Sequence, residues 1–146
     1  MTSATLAADL DHEPDLARGY NQHDKDVTPG DFTGAWAAGG VVASAADIAA
    51  FYRALYTGRL VPRGVVADMG RARGTLPDGA RYGLGTFVLD VDCTTATGPF
   101  GEIAGFESAA MHDPGTGRTV ITLVNASGPL GMDAAQGLTF RALCYS

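Results

Sequence analysis

Serine side chains are the first candidates for chemistry in this sequence. They stand at five positions: Ser3, Ser44, Ser108, Ser127 and Ser146. A serine acts as a nucleophile only where a base lies within hydrogen-bond reach, and the Gly-x-Ser-x-Gly segment that marks the nucleophile turn of many hydrolases does not occur. Ser44 is better explained as a helix cap, and Ser108 stands within a predicted strand beside two alanines. The residues alone therefore indicate no nucleophile.

Acidic and histidine side chains gather near the N-terminus and could be imagined as a metal site. They are Asp9, Asp11, His12, Glu13 and Asp15, with His23, Asp24 and Asp26 further along. Oxygen ligands combined with histidine do bind divalent metals, but this spacing matches no defined site and the segment is typical of a loop. We interpret it as a solvated surface loop, and we expect neither a metal ion nor a cofactor. His112 ends a predicted strand, where we expect a surface position.

Composition and charge exclude several classes of function. A chain of 146 residues can bury roughly 70% of the surface that its unfolded form exposes, which is enough for a core. The net charge is −6 and Lys25 is the single lysine, so no basic patch for nucleic acid is visible. Residues 32–46 are uncharged but too few and too rich in alanine and glycine for a membrane span.

Residues before 35 are typical of a loop, and a helix is predicted after residue 44. Ser44 is a favourable N-cap, Asp47 stands at the third helical position, and Gly58 ends the segment. Apolar residues at i, i+3, i+4 and i+7 form one face; they are Ile48, Phe51, Tyr52 and Leu55. A second, short helix is predicted from about residue 62 to residue 69.

The second half of the chain predicts strands and a closing helix. Residues 82–92, 106–112 and 118–126 have the composition of strands, and residues 131–144 have the pattern of a helix. Residues 118–126 are apolar on both faces, which is typical of a central strand covered on both sides. The sequence thus predicts an α/β (α+β) fold, with an antiparallel sheet of about three strands and the C-terminal helix over one face.

The two cysteines, Cys93 and Cys144, are open to two interpretations. They are either unrelated buried thiols or one disulfide that ties a strand end to the C-terminus. The residues alone leave both interpretations open.

Three segments together resemble a known family. They read LARGY at 16–20, WAAGGVVASAADIAAFYRALYTGRL at 36–60, and YGLGTFVLD with GPFGEIAGFESAAMHDPGTGRTVITLVNAS within 82–127. Their order and spacing are similar to those of the penicillin-recognising serine hydrolases, which include class C β-lactamases and D-alanyl-D-alanine carboxypeptidases. The likeness is closest to the secreted carboxypeptidase branch. It runs from about Leu16 to the C-terminus and covers only the C-terminal part of a family member.

The resemblance implies a domain organisation, because the family builds its active site between an all-helical domain and an α/β domain. Residues 1–70 would be a loop and helical segment from the all-helical domain, and residues 71–146 the C-terminal part of the α/β domain. In this incomplete β-lactamase-like fold, residues 118–126 become an open edge, since N-terminal strands of the family lie beside that strand. We therefore expect a marginally stable chain, or one that needs a partner.

Two of the three family motifs are absent from these 146 residues. Ser-x-x-Lys supplies the acylated serine and its lysine, yet the residue three positions before Lys25 is Gln22. Tyr-x-Asn or Ser-x-Asn, the second motif, does not occur. We expect the chain to begin inside a family gene and to be inactive alone. The alternatives are a non-catalytic module that binds peptidoglycan or peptides, and half of an enzyme that a separate N-terminal half complements.

The third family motif, Lys-Thr-Gly or His-x-Gly, falls at Pro99, Phe100 and Gly101. By resemblance these residues and Glu102 line the pocket, and the backbone N–H of Glu102 faces the oxyanion. Proline replaces the histidine or lysine. In carboxypeptidase relatives a hydroxyl residue after the motif helps to hold the substrate carboxylate, which a glutamate would repel. A small ester or amide without a terminal carboxylate therefore suits Glu102 better than the cell-wall peptides and β-lactams of the family.

The resemblance also assigns the cysteines. Secreted relatives of the carboxypeptidase type carry a disulfide between the strand region before the third motif and the C-terminal helix, and Cys93 and Cys144 match that placement. A disulfide indicates an oxidising compartment. The resemblance therefore implies an extracellular or cell-envelope location for the intact ancestral protein, although no signal peptide is recognisable in these residues.

Overall fold

The computed structural model describes residues 4–6, 16–28, 33–77 and 79–145. Its helices are α1 (Trp36–Gly39), which follows a 3-10 turn at Thr33–Ala35, α2 (Ala45–Tyr56), α3 (Arg63–Met69) and α4 (Pro129–Cys144). Its strands are β1 (Thr5–Leu6), β2 (Val41–Val42), β3 (Gly74–Thr75), β4 (Arg81–Tyr82), β5 (Phe87–Val91), β6 (Thr94–Gly98), β7 (Phe100–Ile103), β8 (Phe106–His112) and β9 (Thr119–Val124). The first two strands pair only with each other.

The other seven strands form one antiparallel sheet. Its order is β3, β4, β5, β6, β8 and β7, with β9 also on β8. Ala109 of β8 pairs with Phe100 of β7 and with Thr122 of β9, so β7 and β9 lie on opposite sides of β8. Pro99 alone separates β6 from β7, and both strands pair with β8. The predicted mixed fold class, with an antiparallel sheet and a C-terminal helix, is confirmed.

The number of strands differs from the expected three. Strands β3 and β4 have two residues each, and pieces this short carry no alternating pattern. Residues 82–92 are not one strand, because the chain turns back at Gly83, whose N–H donates to the carbonyl of Thr86 at 2.8 Å. The sheet is therefore assembled from shorter strands than the sequence predicted.

Helix α2 begins where its cap predicts. The Ser44 hydroxyl accepts a hydrogen bond of 3.2 Å from the backbone N–H of Asp47, which satisfies one free donor of the first turn. The helix ends at Tyr56, two residues before Gly58, whose φ of +80° is easily adopted by glycine. Both predicted helices of the first half are confirmed.

Helices cover both faces of the sheet around β8. Met111 packs with Leu143 of α4, whereas the ring of Tyr56 in α2 stacks on His112. Because neighbouring residues of a strand point to opposite faces, α4 and α2 lie on opposite sides of the sheet. The core cluster of Met111, Ala96 and Leu143 lies under α4.

Strand β9 is covered on both faces, as predicted, but it is not a central strand. The hydroxyl oxygens of Thr122 and of Thr139 in α4 lie 2.7 Å apart, and α2 packs against the strand as well. Among the described strands β9 pairs with β8 alone. Beyond its end, Tyr20 forms a bridge to Ala126, and the Arg18 carbonyl accepts a hydrogen bond from the Asn125 side chain. The other backbone edge of β9 is therefore open within the part of the chain that the structure describes.

A disulfide joins Cys93, in the turn between β5 and β6, to Cys144 at the end of α4. The two Cα atoms are 5.6 Å apart. The pairing implied by the family resemblance is confirmed, and the bond fixes the end of α4 to the sheet.

Within the described residues, no helix combines the length and the apolar composition needed to cross a lipid bilayer. Helices α2 and α3 precede residue 70 and the seven-stranded sheet follows it. The division into a segment from an all-helical domain and a part of an α/β domain stays a prediction.

Candidate functional site

Strand β7 brings the predicted pocket residues together. Pro99 leads into the strand, and its carbonyl accepts a hydrogen bond of 3.1 Å from the N–H of Ala110. The next three residues pair in register with β8, in the pairs Phe100–Ala109, Gly101–Ser108 and Glu102–Glu107. The four residues therefore form a continuous piece of backbone along one side of β8.

Gly101 lies close to the side chain of its register partner on β8. A Cβ atom built there would lie 2.6 Å from the Ser108 hydroxyl oxygen. Real Cβ atoms essentially never come closer than 3.0 Å to another heavy atom. A residue larger than glycine would therefore force the Ser108 side chain to move.

Gly105 forms the bend between β7 and β8. Its φ is +82°, and a Cβ there would lie 2.9 Å from the backbone carbonyl carbon of Gly19. Its N–H donates a 3.0 Å hydrogen bond to the Ser127 hydroxyl. The bend is thus held by two other segments of the chain.

The ring of Phe100 stabilises β7 from the α4 side. Its centroid lies 5.3 Å from that of Phe87 and 6.3 Å from that of Phe140 in α4. Such aromatic pairs add stabilisation beyond the area they bury. Phe100 therefore holds the strand in place by packing into the core.

Glu102 is exposed and lies opposite a buried carboxylate that the sequence analysis missed. Glu107 is 2% exposed, and within the described residues neither of its carboxylate oxygens accepts a hydrogen bond of normal geometry. Burial raises the pKa of Glu107, and the nearby carboxylates of Glu102 and Asp133 raise it further, whereas the N–H of Gly128 lowers it. The only sequence signal was that position 107 shares its strand face with Ala109.

A cavity of about 610 Å³ lies between α2, α3 and the sheet. Its walls include Arg53 and Tyr56 of α2, Arg63 of α3, Thr97 of β6 and His112 of β8. The predicted pocket residues 99–102 are not among its lining residues. His112 follows the partner of Gly101 by four positions on β8, which corresponds to roughly 13 Å at 3.3 Å per residue. The cavity and β7 are therefore two separate regions.

His112 was expected at the surface, and this prediction was wrong. The side chain is 9% exposed, and its ring stacks on Tyr56 with centroids 3.9 Å apart and planes 7° apart. Its Nδ1 lies 2.9 Å from the Thr119 hydroxyl oxygen. Burial lowers the pKa of His112, while the Asp113 carboxylate and the Arg118 backbone carbonyl partly raise it. The side chain is buried because alternation along β8 directs it toward α2.

The serine and acidic candidates have structural explanations where the structure describes them. Ser44 caps α2, Ser108 lies against Gly101, and Ser127 accepts from the bend at Gly105. The acidic cluster of residues 9–15, together with Ser3 and Ser146, lies outside the described residues. Among the residues that are described, no group of three His, Cys, Asp or Glu side chains could hold a metal ion.

Two solved structures are similar to this chain. A D-stereospecific amidohydrolase from Streptomyces sp. matches with a TM-score of 0.68 and 26% identity, over 84% of this chain and 39% of that one. A D-amino acid amidase from Ochrobactrum anthropi SV3, solved in complex with D-phenylalanine, matches with a TM-score of 0.68 and 26% identity, over 87% and 43%. The present chain therefore spans about two fifths of the length of these structures. No curated protein sequence matches it.

A protein-family model covers nearly the whole chain. The model of the beta-lactamase family matches residues 1–141. The antiparallel sheet with α4 on one face and the two similar structures agree with that match. The resemblance that the sequence motifs indicated is confirmed. The chain belongs to the beta-lactamase family, within the superfamily of penicillin-recognising serine hydrolases.

Proposed function

We propose that this chain forms one wall of the active site of a serine hydrolase that cleaves small amides or esters. The observation that carries the proposal is the position of β7. This strand pairs with β8 along one edge, and no described strand pairs with its other edge. Its free backbone N–H and C=O groups are suited to bind a substrate and to stabilise an oxyanion.

Glu102 supports an amide or ester without a carboxylate. Its side chain is exposed and forms no ion pair or hydrogen bond with the described part of the chain. Its register partner Glu107 is also acidic, so it does not offset the negative charge of Glu102. A substrate carboxylate would be repelled here. D-alanyl-D-alanine peptides and β-lactams carry such a carboxylate, so they would bind poorly beside Glu102. The names of the two similar structures, an amidohydrolase and an amidase, also favour amides.

The chain is proposed to be inactive alone, because Ser-x-x-Lys and Tyr-x-Asn are absent from its 146 residues. A second polypeptide that carries both motifs would supply the nucleophile, and the open edge of β9 offers it a strand to pair with. The test mixes the two polypeptides with a D-amino acid amide and a fluorescent penicillin. We expect amide turnover only in the mixture. A covalent penicillin adduct on this chain alone, absent from a heat-denatured sample, would contradict the proposal.

A non-catalytic binding module is the second candidate, and the free edge of β7 favours it. Extended peptides bind to such edges by adding a strand. The test titrates peptidoglycan fragments into this chain, with and without the second polypeptide. Saturable binding that is the same in both samples, with no turnover, would favour the module over the hydrolase.

The disulfide supports a proposal about location. Bonds such as that between Cys93 and Cys144 persist mainly in oxidising compartments. We propose an extracellular or cell-envelope location for the intact protein. Fractionation of the native cells with detection of the chain tests this, and recovery in the reduced form from the cytosol would argue against it.

A further inference from the structure

The cavity between α2 and α3 has an unusual charge for this chain. Its lining residues include two arginines, Arg53 and Arg63, and no aspartate or glutamate. The chain as a whole carries a net charge of −6. The charged residues of the cavity lining are therefore positive, although the chain as a whole is negative.

Neither arginine is neutralised within the described residues. No ion pair joins Arg53 or Arg63 to a described carboxylate, whereas Arg18, Arg73 and Arg81 each form one. The Nε–H of Arg63 donates to the backbone carbonyl of Thr57 at 3.3 Å, which orients its guanidinium group and leaves the terminal nitrogens available. Two guanidinium groups without counter-ions are suited to bind an oxyanion.

We propose that this cavity binds a small organic anion, a carboxylate or phosphate group on an apolar body, with Arg53 and Arg63 holding the anionic group. The volume of about 610 Å³ lies within the range of small-molecule sites. An inorganic ion alone would leave most of it unfilled. The remaining walls are partly apolar, with Ala49, Val66 and the ring of Tyr56, and they would cover the body of the ligand. The proposal does not depend on the hydrolase function.

The first experiment compares ligands that share a phenyl ring and differ in the attached polar group. Phenylacetate, phenyl phosphate and phenylacetamide are titrated into the 146-residue chain and followed by calorimetry and by amide resonances. We expect one of the two anions to bind at least about tenfold more tightly than the neutral amide, a difference of about 1.4 kcal/mol, with shifts at Thr57, Gly70 and Gly117 of the lining. The tighter anion assigns carboxylate or phosphate. Equal affinity for the amide, or inorganic phosphate bound as tightly as phenyl phosphate, overturns the proposal.

The second experiment assigns the arginines. Arg53→Gln and Arg63→Gln should each weaken binding of the better anion by about tenfold. Arg59→Gln is the matched control. It removes the same charge, but Arg59 is exposed and does not line the cavity. Arg63→Lys keeps the positive charge and should retain more of the binding than Arg63→Gln. Each variant must have the same melting temperature as the parent chain, so that a loss of binding is not a loss of folding. Unchanged affinity in both glutamine variants, or an equal loss in the control, contradicts the assignment.

Discussion

The hydroxyl oxygen of Ser108 occupies the space that a side chain at position 101 would need, since a Cβ atom on Gly101 would lie only 2.6 Å from it. The two residues are register partners on β8 and β7. The absence of a side chain at position 101 leaves this space to the Ser108 hydroxyl, within the proposed pocket wall of residues 99–102. It also makes the fit of this strand open to measurement.

Gly101→Ala should destabilise the chain by about 1–2 kcal/mol, because the new methyl group meets a hydroxyl that can rotate only at some cost. In a Ser108→Ala background the same change should cost clearly less, since the next Ser108 atom lies 4.0 Å away. Urea denaturation of the four proteins gives the coupling energy. A coupling near zero would show that the two residues do not compete for this space.

Gly98→Ala is the contrasting control for that cycle. A Cβ at Gly98 would lie 1.8 Å from the backbone carbonyl oxygen of Ala110, which cannot rotate away. This variant should lose more than about 3 kcal/mol. A cost equal to that of Gly101→Ala would mean that the chain can move β6 away from β8.

Glu107→Gln should stabilise the chain at neutral pH. The folded state binds the Glu107 proton more tightly than the unfolded chain does, so its stability falls as the pH rises from the ordinary value of 4.5 through the raised folded pKa. The amide carries no charge and removes that loss, which we expect to be about 1–3 kcal/mol at pH 7 and close to zero near pH 4. Asp92→Asn, which removes an exposed carboxylate in the turn between β5 and β6, is the control, because Asp92 does not act on Glu107. A pH-independent difference would contradict the prediction.

Reduction of the disulfide should lower stability substantially. Cys93 and Cys144 are 51 positions apart, and closing a loop of that length corresponds to about 4 kcal/mol in the chain-entropy description. The measurement is the urea midpoint of the oxidised chain and of a Cys93→Ser, Cys144→Ser variant. A loss below about 1 kcal/mol would show that α4 docks equally well without the bond.

His112 should make the chain less stable in mild acid. The folded state binds the His112 proton more weakly than the unfolded chain does, so stability is present above the ordinary pKa of 6.5 and is lost as the pH falls through the lowered folded value. The imidazole resonances of His112 in the folded chain should titrate below 6.5. His112→Asn should remove this part of the pH dependence, and an unchanged slope between pH 7 and pH 5 would refute the assignment.

Elements with strong local signals could be predicted from the sequence. The Ser44 cap and the apolar periodicity after it locate α2, and the strand predicted at residues 106–112 matches β8 at both ends. Helix α4 begins at Pro129, two residues earlier than expected, because Gly128 adopts a φ of +99° and the proline ring suits the first helical position. Local chemistry decides these elements.

Features that depend on packing partners could not be predicted. Glu107 and His112 are polar, so their burial follows only from the helices that cover the two faces of β8. The cavity needs α2, α3 and the turn after β8 to be placed together, and no sequence window contains all three. The pocket wall on β7 was located only through the family resemblance. Its proposed role belongs to backbone N–H and C=O groups, which the side-chain pattern of the sequence does not mark.

The disulfide gives the chain a covalent ring that runs from Cys93 to Cys144. Every residue of β6 to β9 and α4 belongs to this ring, whereas α2 and α3 lie outside it. A protease that cuts once within the ring, for example in the exposed turn at Gly115, opens the circle without releasing a piece. After such a cut, the fragment that contains the proposed pocket wall stays covalently attached to the fragment that contains α4. Only a reductant that breaks the disulfide would separate the two fragments.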